Sequence, residues 1–330
     1  MKRIRIADLS SYLPTRVVTS AEIEGMVNVY SPTLPNGVIE RLFGIQERRF
    51  AGADEQVSDM AARAALPIVE RWGRQHIECM IFAAACGDMI EPATANIVQH
   101  KLGLSCPVFD VKNACNSFTT AIQIGGALIQ SGHYRNVLIV NGEKLQDAIQ
   151  FNIQDSEDLK RRMAGFALGD AGAAMLLEAS DDARGVVHQY FETLGEHWKL
   201  CTVAGGGSVN PRGDFLYFEG AITEMREVFF ENMARFVDRG FDGAGWKVEE
   251  VKCFFMHQVA LSNIAALAER CKLPRERIYT IVDRYGNIAA ASIPVAMHEA
   301  QKKGLILKGD KIVLLGMAAG VSLSIQFIIF

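Results

Sequence analysis

The stretch CPVFDVKNACNSFTTAIQIGGALIQSGHYRNVLIVNG, from Cys106 to Gly142, is matched further along by RIYTIVDRYGNIAAASIPVAMHEAQKKGLILKGDKIVLLG, from Arg277 to Gly316. Each reads as a β-branched apolar run, a short polar link, a small-residue helix, a glycine and a second apolar run. Cys115 precedes Gly132 by the same interval by which Asn287 precedes Gly304. A duplicated unit brings equivalent positions together across a pseudo-twofold axis. A thiol from one copy and an amide from the other would then meet at the centre.

The flanks extend the match. Residues 4–8 read as an opening strand, Ser58 to Trp72 as a helix with Pro67 as a local defect, and Cys79 to Ala85 as a fully buried strand. Pro92 to Leu102 reads as a helix before the first core. In the second half Glu224 to Val237 is helical, Lys252 to Met256 is a buried strand, and Leu261 to Cys271 is helical. The interval from Cys79 to Cys253 is nearly the interval from Cys115 to Asn287. Two landmarks at nearly one offset predict a duplication of the whole half. Strands alternating with helices predict α/β layers, with one half over 1–172 and the other over 173–330. The join falls within 173–222, where Gly205 to Gly207 and Asn210 to Gly213 read as loops.

Bulk properties narrow the classes of function. The chain has 330 residues, 49% hydrophobic and 22% charged, with a formal net charge of -4. That charge gives no global basic field for nucleic acid. Seven cysteines without a CxxC pair fit a reducing cytoplasm better than a disulfide scaffold, and no His/Cys cluster has zinc spacing. The basic N-terminus lacks the continuous apolar core of a signal peptide. The apolar stretch 312–330 is interrupted by Gly316, Gly320, Ser322, Ser324 and Gln326, so it reads as two strands around a turn and not as a membrane span.

Four elements carry chemistry. Cys115 falls between a strand (Val108 to Val111) and a helix (Ser117 to Gln130). There the unpaired N–H groups and the helix dipole would favour the nucleophilic thiolate; the plain alternative is a buried structural cysteine. His257 ends the strand of the second half, where ligands bind in open α/β sheets, or is simply a satisfied strand-end histidine. Asn287 follows Tyr285-Gly286, ahead of a helix beginning near Ser292 with Pro294 in its first turn; a turn asparagine would also suit the place. Gly316 to Ser324 is a small-residue turn, which an ordinary hairpin would equally use.

Together DVKNACNSF, HQVALSNI, YGNIAAASIPVA and the Gly316–Gly320 turn closely resemble ketoacyl-ACP synthase III of the thiolase superfamily, in order and spacing over nearly the whole chain. The resemblance implies a five-layered αβαβα fold with internal duplication and a homodimer. It implies that Cys115 takes an acyl group from an acyl thioester. His257 and Asn287 would then stabilise the enolate of a second, malonyl or β-ketoacyl, thioester during a decarboxylative Claisen condensation. Backbone N–H groups of Cys115 and Ala319 would form the oxyanion hole, and Leu168, Met317 and Arg162 would contact substrate. No cofactor is implied beyond CoA or acyl-carrier-protein thioesters.

Departures from the family pattern point to an unusual member. Val38 stands where primer-binding relatives have a Trp, Ser262 where a carrier-contacting Arg is usual, Ala260 in place of an Asn, and Met317 in place of an aromatic. Asn116-Ser117 replaces a small pair ending in Gly. Arg161-Arg162 remain as a basic contact for phosphate or an acidic carrier, or as a solvated face. Glu91 precedes Pro92 where the family has an apolar residue reaching from the partner subunit into the acyl pocket. In an apolar pocket a carboxylate could serve as a base; on a loop it would face solvent. The expected activity is therefore condensation in specialised lipid or polyketide biosynthesis. The alternatives are ester or amide formation from the acyl-enzyme, head-to-head condensation without decarboxylation using Glu91, and a partner subunit of a heterodimeric synthase. Thiolases proper need a second catalytic cysteine near the C-terminal turn, and none follows Cys271.

Overall fold

A computed structural model describes residues 3–29, 34–181, 184–211 and 216–330. In the first half, strands β1 (Arg3–Tyr12), β2 (Met80–Ala83), β3 (Val108–Val111), β4 (Asn136–Glu143) and β5 (Ala171–Ser180) form a sheet in the order β1-β5-β4-β2-β3. In the second half, β6 (Gly185–Thr193), β7 (Cys253–Met256), β8 (Lys311–Ala318) and β9 (Ser322–Ile329) form a sheet in the order β6-β9-β8-β7. The two orders and directions correspond. Each sheet has an antiparallel edge pair, a second antiparallel pair and then a parallel pair. The counterpart of β3 is reduced to a single parallel bridge from Phe254 to Ile278.

Strand sequence explains the layering. Alternate residues of a strand face opposite sides of its sheet. In β4, Leu138 and Val140 pack outward under helix α1 (Val57–Trp72) and α2 (Thr94–Leu102), while Val137 and Ile139 pack inward. In β7, Phe254 and Met256 take the outer side while Cys253 and Phe255 join the same inner core. Both faces of both sheets are apolar, so both must be covered. Helices α3 (Ser117–Gln130) and α6 (Ser292–Lys302) lie between the sheets, and α4 (Ile222–Ala244) and α5 (Leu261–Arg270) cover the far side. The result is the expected αβαβα stack. Helix α1 runs through Pro67 without a break. No helix among the described residues is long and apolar enough to cross a membrane, and the apolar C-terminal stretch is the β8–β9 pair.

Three expectations change. The division after residue 172 falls inside β5, a strand of the first sheet, because β5 must pair with β1 along its length; the second sheet begins at Gly185. The register of the duplication also differs. The interval from the start of α3 at Ser117 to the start of α6 at Ser292 equals that from the start of β4 at Asn136 to the start of β8 at Lys311. Applied to Cys115, that interval leads to Ala290, which is its structural counterpart, and not to Asn287. Cys115 and Asn287 share a spacing to a glycine only because α6, with 11 residues, is shorter than α3, with 14 residues. The join is also more structured than loops alone: it holds β6 and a small hairpin of Cys201–Val203 with Phe218–Gly220. Of the expected loop residues there, Arg212 and Gly213 lie outside the described residues.

Candidate active site

Cys115 stands on a bend ahead of α3. Ala114 before it has φ 45, a left-handed conformation that non-glycine residues rarely adopt. Ser117 closes the bend: its Oγ accepts from the Asn113 N–H at 2.8 Å and donates to the carbonyls of Ala114 at 2.7 Å and Ala84 at 3.1 Å. The thiol lies against the core that also contains Met256, Leu168, Ala289 and Met317. Burial pushes its pKa up, and Cys201 and Glu143 nearby push the same way, while its own backbone N–H opposes them. The resting group is a thiol, not the thiolate expected at a helix end. Desolvation of the anion outweighs the helix terminus here.

His257 follows β7 directly, and its backbone N–H donates to the Leu315 carbonyl at 3.0 Å. The ring is buried and its Nδ1 has no hydrogen-bond partner among the described residues. Burial lowers its pKa to about 4, against a backbone hydrogen bond at Ala289 that works the other way. His257 is therefore a neutral imidazole near pH 7.

Asn287 is fixed through its backbone and its side chain. Its N–H donates to the Ala167 carbonyl at 2.7 Å and its carbonyl accepts from the Gly169 N–H at 3.0 Å, so Leu168 sits bridged beside it. Its Oδ1 accepts from the Ala289 N–H at 3.0 Å. That bond settles which end of the amide is oxygen and turns the NH2 group the other way, as a donor. Gly286 makes the approach possible. It has φ 67, and a Cβ there would come within 2.6 Å of the Ala167 oxygen.

The structure thus places Cys115, Leu168 and Met317 in one core, with Asn287 bridged to Leu168 and His257 bonded to Leu315 of β8, and Ala319 lies in the β8–β9 turn. Two other expected residues are placed differently. Arg162 pairs with Asp158 at 3.3 Å and Glu219 at 2.8 Å and lies over the Tyr217 ring. Its charge is already matched within the chain, because Ser156–Arg162 folds as a helix that puts Asp158 one turn away. Arg161 likewise bonds Asp158, at 3.2 Å. Glu91 is exposed beside Met89 and Ile90, which are 54% and 78% accessible, so no apolar pocket of its own chain encloses it.

Sequence reasoning missed a buried carboxyl beside the thiol. Glu143 closes β4 and is fully buried. It accepts from the N–H groups of Ala85 at 2.9 Å and Ala290 at 3.3 Å, from Asn141 Nδ2 at 3.2 Å and from the Cys86 thiol at 3.3 Å. Burial raises its pKa to about 7. A carboxylate ending the apolar run NVLIVNGE was the available signal, since strand ends line sites in α/β sheets.

Comparison with known proteins agrees with this architecture. Residues 109–195 match the family model of 3-oxoacyl-[acyl-carrier-protein] synthase III, and residues 241–329 match the model of its C-terminal part. The beta-ketoacyl-[acyl-carrier-protein] synthase III of Aquifex aeolicus is 31% identical over 321 residues, covering 96% of each chain. The crystal structure of the synthase III of Thermus thermophilus superposes with a TM-score of 0.87 at 28% identity over 99% of both chains. OleA of Xanthomonas campestris, solved with lauric acid and lauroyl-CoA bound, superposes with a TM-score of 0.88 at 26% identity over 100% of this chain and 99% of that one. With its duplicated αβαβα fold, the chain belongs to the 3-oxoacyl-[acyl-carrier-protein] synthase III family, acyltransferases of the thiolase superfamily.

Proposed function

We propose that this enzyme loads an acyl group on Cys115 and condenses it with a malonyl-type thioester. The observation that carries this reading is the setting of Asn287, whose Oδ1 is pinned by the Ala289 N–H so that its NH2 group is free to donate, beside a neutral His257. Two neutral donors suit a thioester oxygen that becomes an enolate oxygen.

In the first step the Cys115 sulfur bonds to the acyl carbon, the old carbon–sulfur bond breaks, and the thiol proton leaves with the departing CoA or carrier thiolate. N–H groups of Cys115 and Ala319 receive the developing oxyanion. In the second step the malonyl carboxylate departs as CO2 and its electron pair forms an enolate. The enolate carbon attacks the acyl-Cys115 carbonyl, and the Cys115 thiolate leaves and regains a proton. Leu168 and Met317 face the acyl chain. We extend the reading to a homodimer of the cytoplasm, in keeping with the unpaired cysteines and the exposed Met89 and Ile90. The replacements at Val38, Ser262 and Met317 favour specialised lipid or polyketide synthesis over priming of common fatty acids.

Intact-protein mass spectrometry tests the first step with acetyl-, octanoyl- and lauroyl-CoA and the same acyl groups on carrier protein. An adduct on Cys115, lost in Cys115→Ala, is expected. Absence of any adduct would refute it. His257→Ala and Asn287→Ala should load and then fail to release CO2 or a 3-oxoacyl thioester.

A second reading rests on the exposed Met89-Ile90-Glu91 loop and the likeness to OleA: Glu91 serves the site of a second copy as a base. Glu91→Gln with unchanged turnover and unchanged products would remove it.

A further inference from the structure

Asn116 begins α3, yet its side chain does not cap that helix. An asparagine at a helix start normally accepts from the N–H groups of its own first turn. Here both ends of the amide cross to the other half of the molecule. Nδ2 donates to the Ser322 carbonyl at 2.9 Å and to Ser322 Oγ at 3.0 Å, and Oδ1 accepts from Ser324 Oγ at 3.2 Å. Ser322 Oγ donates in turn to Asn113 Oδ1 at 3.2 Å, and Ser324 Oγ meets Thr119 Oγ1 at 2.9 Å. Asn116, Ser324 and Thr119 are fully or almost fully buried.

The place is prepared on the opposite strand. A Cβ at Gly316 would overlap both Asn116 Oδ1 and Ser324 Oγ. Gly316 therefore leaves the space that the amide fills, in a core where such a polar group would be costly without its partners. One end of the linkage is the neighbour of Cys115. The other lies just past Ala319, on the far side of the β8–β9 turn.

We infer that Asn116 is a positioning residue that holds the Cys115 bend and the Ala319 turn in register, so that their two N–H groups address one oxyanion. This role rests on the acyl-thioester reading of the site. It concerns the attack on a carbonyl, not the nucleophilicity of the sulfur. Oxyanion donors act through fixed geometry, and small displacements cost large factors.

The two kinds of chemistry separate this role from a merely structural one. Alkylation by iodoacetamide is a displacement at a saturated carbon and forms no oxyanion. Acylation by a thioester does. In Asn116→Ala the single-turnover acylation rate of Cys115 by the best acyl-CoA should fall about ten- to hundredfold. The half-saturating concentration and the iodoacetamide rate should stay near those of the unaltered enzyme. Ser324→Ala, which removes the bonds to Asn116 Oδ1 and Thr119 Oγ1 while Ser322 still holds Nδ2, should show the same split at about two- to tenfold. Equal acylation in Asn116→Ala overturns the inference. So does an equal loss of acylation and alkylation in both variants, which is the mark of a disordered bend. An unaltered enzyme that never acylates would instead overturn the acyl-thioester reading and this inference with it.

Discussion

Ala114 and Ala289 make matching bends, with φ 45 and φ 42, and each stands just before the helix that lies between the sheets. The interval between them is the one that separates the starts of those two helices, Ser117 and Ser292, and it is the true register of the duplication. The same bend serves different ends in the two halves. In the first it presents Cys115. In the second it turns the Ala289 N–H onto Asn287 Oδ1 and brings the Ala290 N–H to Glu143.

Alanine tolerates that conformation at a modest cost, and a β-branched residue does not. Ala114→Val is expected to lose about 1–3 kcal/mol of stability by denaturant titration. It should also slow acylation of Cys115, while Ala114→Gly retains both properties. An Ala114→Val enzyme as stable as the parent would contradict the strained bend.

Glu143 and His257 give stability opposite dependences on pH. The Glu143 pKa is raised from 4.5 to about 7, so the folded chain keeps a proton that the unfolded chain releases. Its contribution is full below the unfolded value and is lost as pH climbs to about 7. The His257 pKa is lowered from 6.5 to about 4, so stability is lost as pH falls through that interval. Glu143→Gln keeps an oxygen for the Ala85 and Ala290 N–H groups and removes the charge. Its advantage over the parent should be near zero at about pH 4 and grow to at most about 3 kcal/mol at about pH 8. Thermal unfolding across that range measures it, and a constant difference would show that Glu143 does not titrate.

Gly286→Ala puts a methyl group against the Ala167 oxygen at a position of positive φ. Asn287 should shift while Cys115, held by a separate bend, stays in place. We expect normal loading of Cys115 and a fall in condensation of about a hundredfold, read by mass spectrometry and CO2 release. Equal loss of both steps would mean that the two residues are not positioned independently.

Arg162 is matched by Asp158 and Glu219, so its removal should weaken the local packing rather than thioester binding. For Arg162→Ala the half-saturating acyl-CoA concentration should stay within about twofold. Stability should drop by about 1 kcal/mol. A large rise in the half-saturating concentration with unchanged stability would restore Arg162 to the substrate contacts.

How far the site could be read from the chain depended on the range of the interaction. Strand and helix limits near Cys115 followed local pattern, and Val108–Val111, Ser117–Gln130 and the start at Ser292 fall where periodicity and Pro294 put them. Cys115, His257 and Asn287 were visible as candidates because each follows a strand or turn ahead of a helix and falls in a motif of the family, DVKNACNSF, HQVALSNI or YGNIAAASIPVA. Glu143 was not, because a carboxylate after a strand looks the same whether it meets water or the N–H groups of two distant loops. Arg162 looked like a site residue for the converse reason: a sequence displays a charge without its partners, here Asp158 and Glu219.

The sequence by itself determined the α/β alternation and the duplication and named the candidate residues of the central site, since these rest on periodicity and on side-chain type. Only the tertiary structure decided their chemical state. The buried surroundings keep Cys115 a thiol and His257 neutral, and the contact of Asn116 with Ser322 and Ser324 joins residues from opposite halves of the chain. Desolvation and long-range hydrogen bonding depend on what the fold brings together. The paired segments that reveal the duplication set which residues approach, and the packing between the sheets sets the protons they carry.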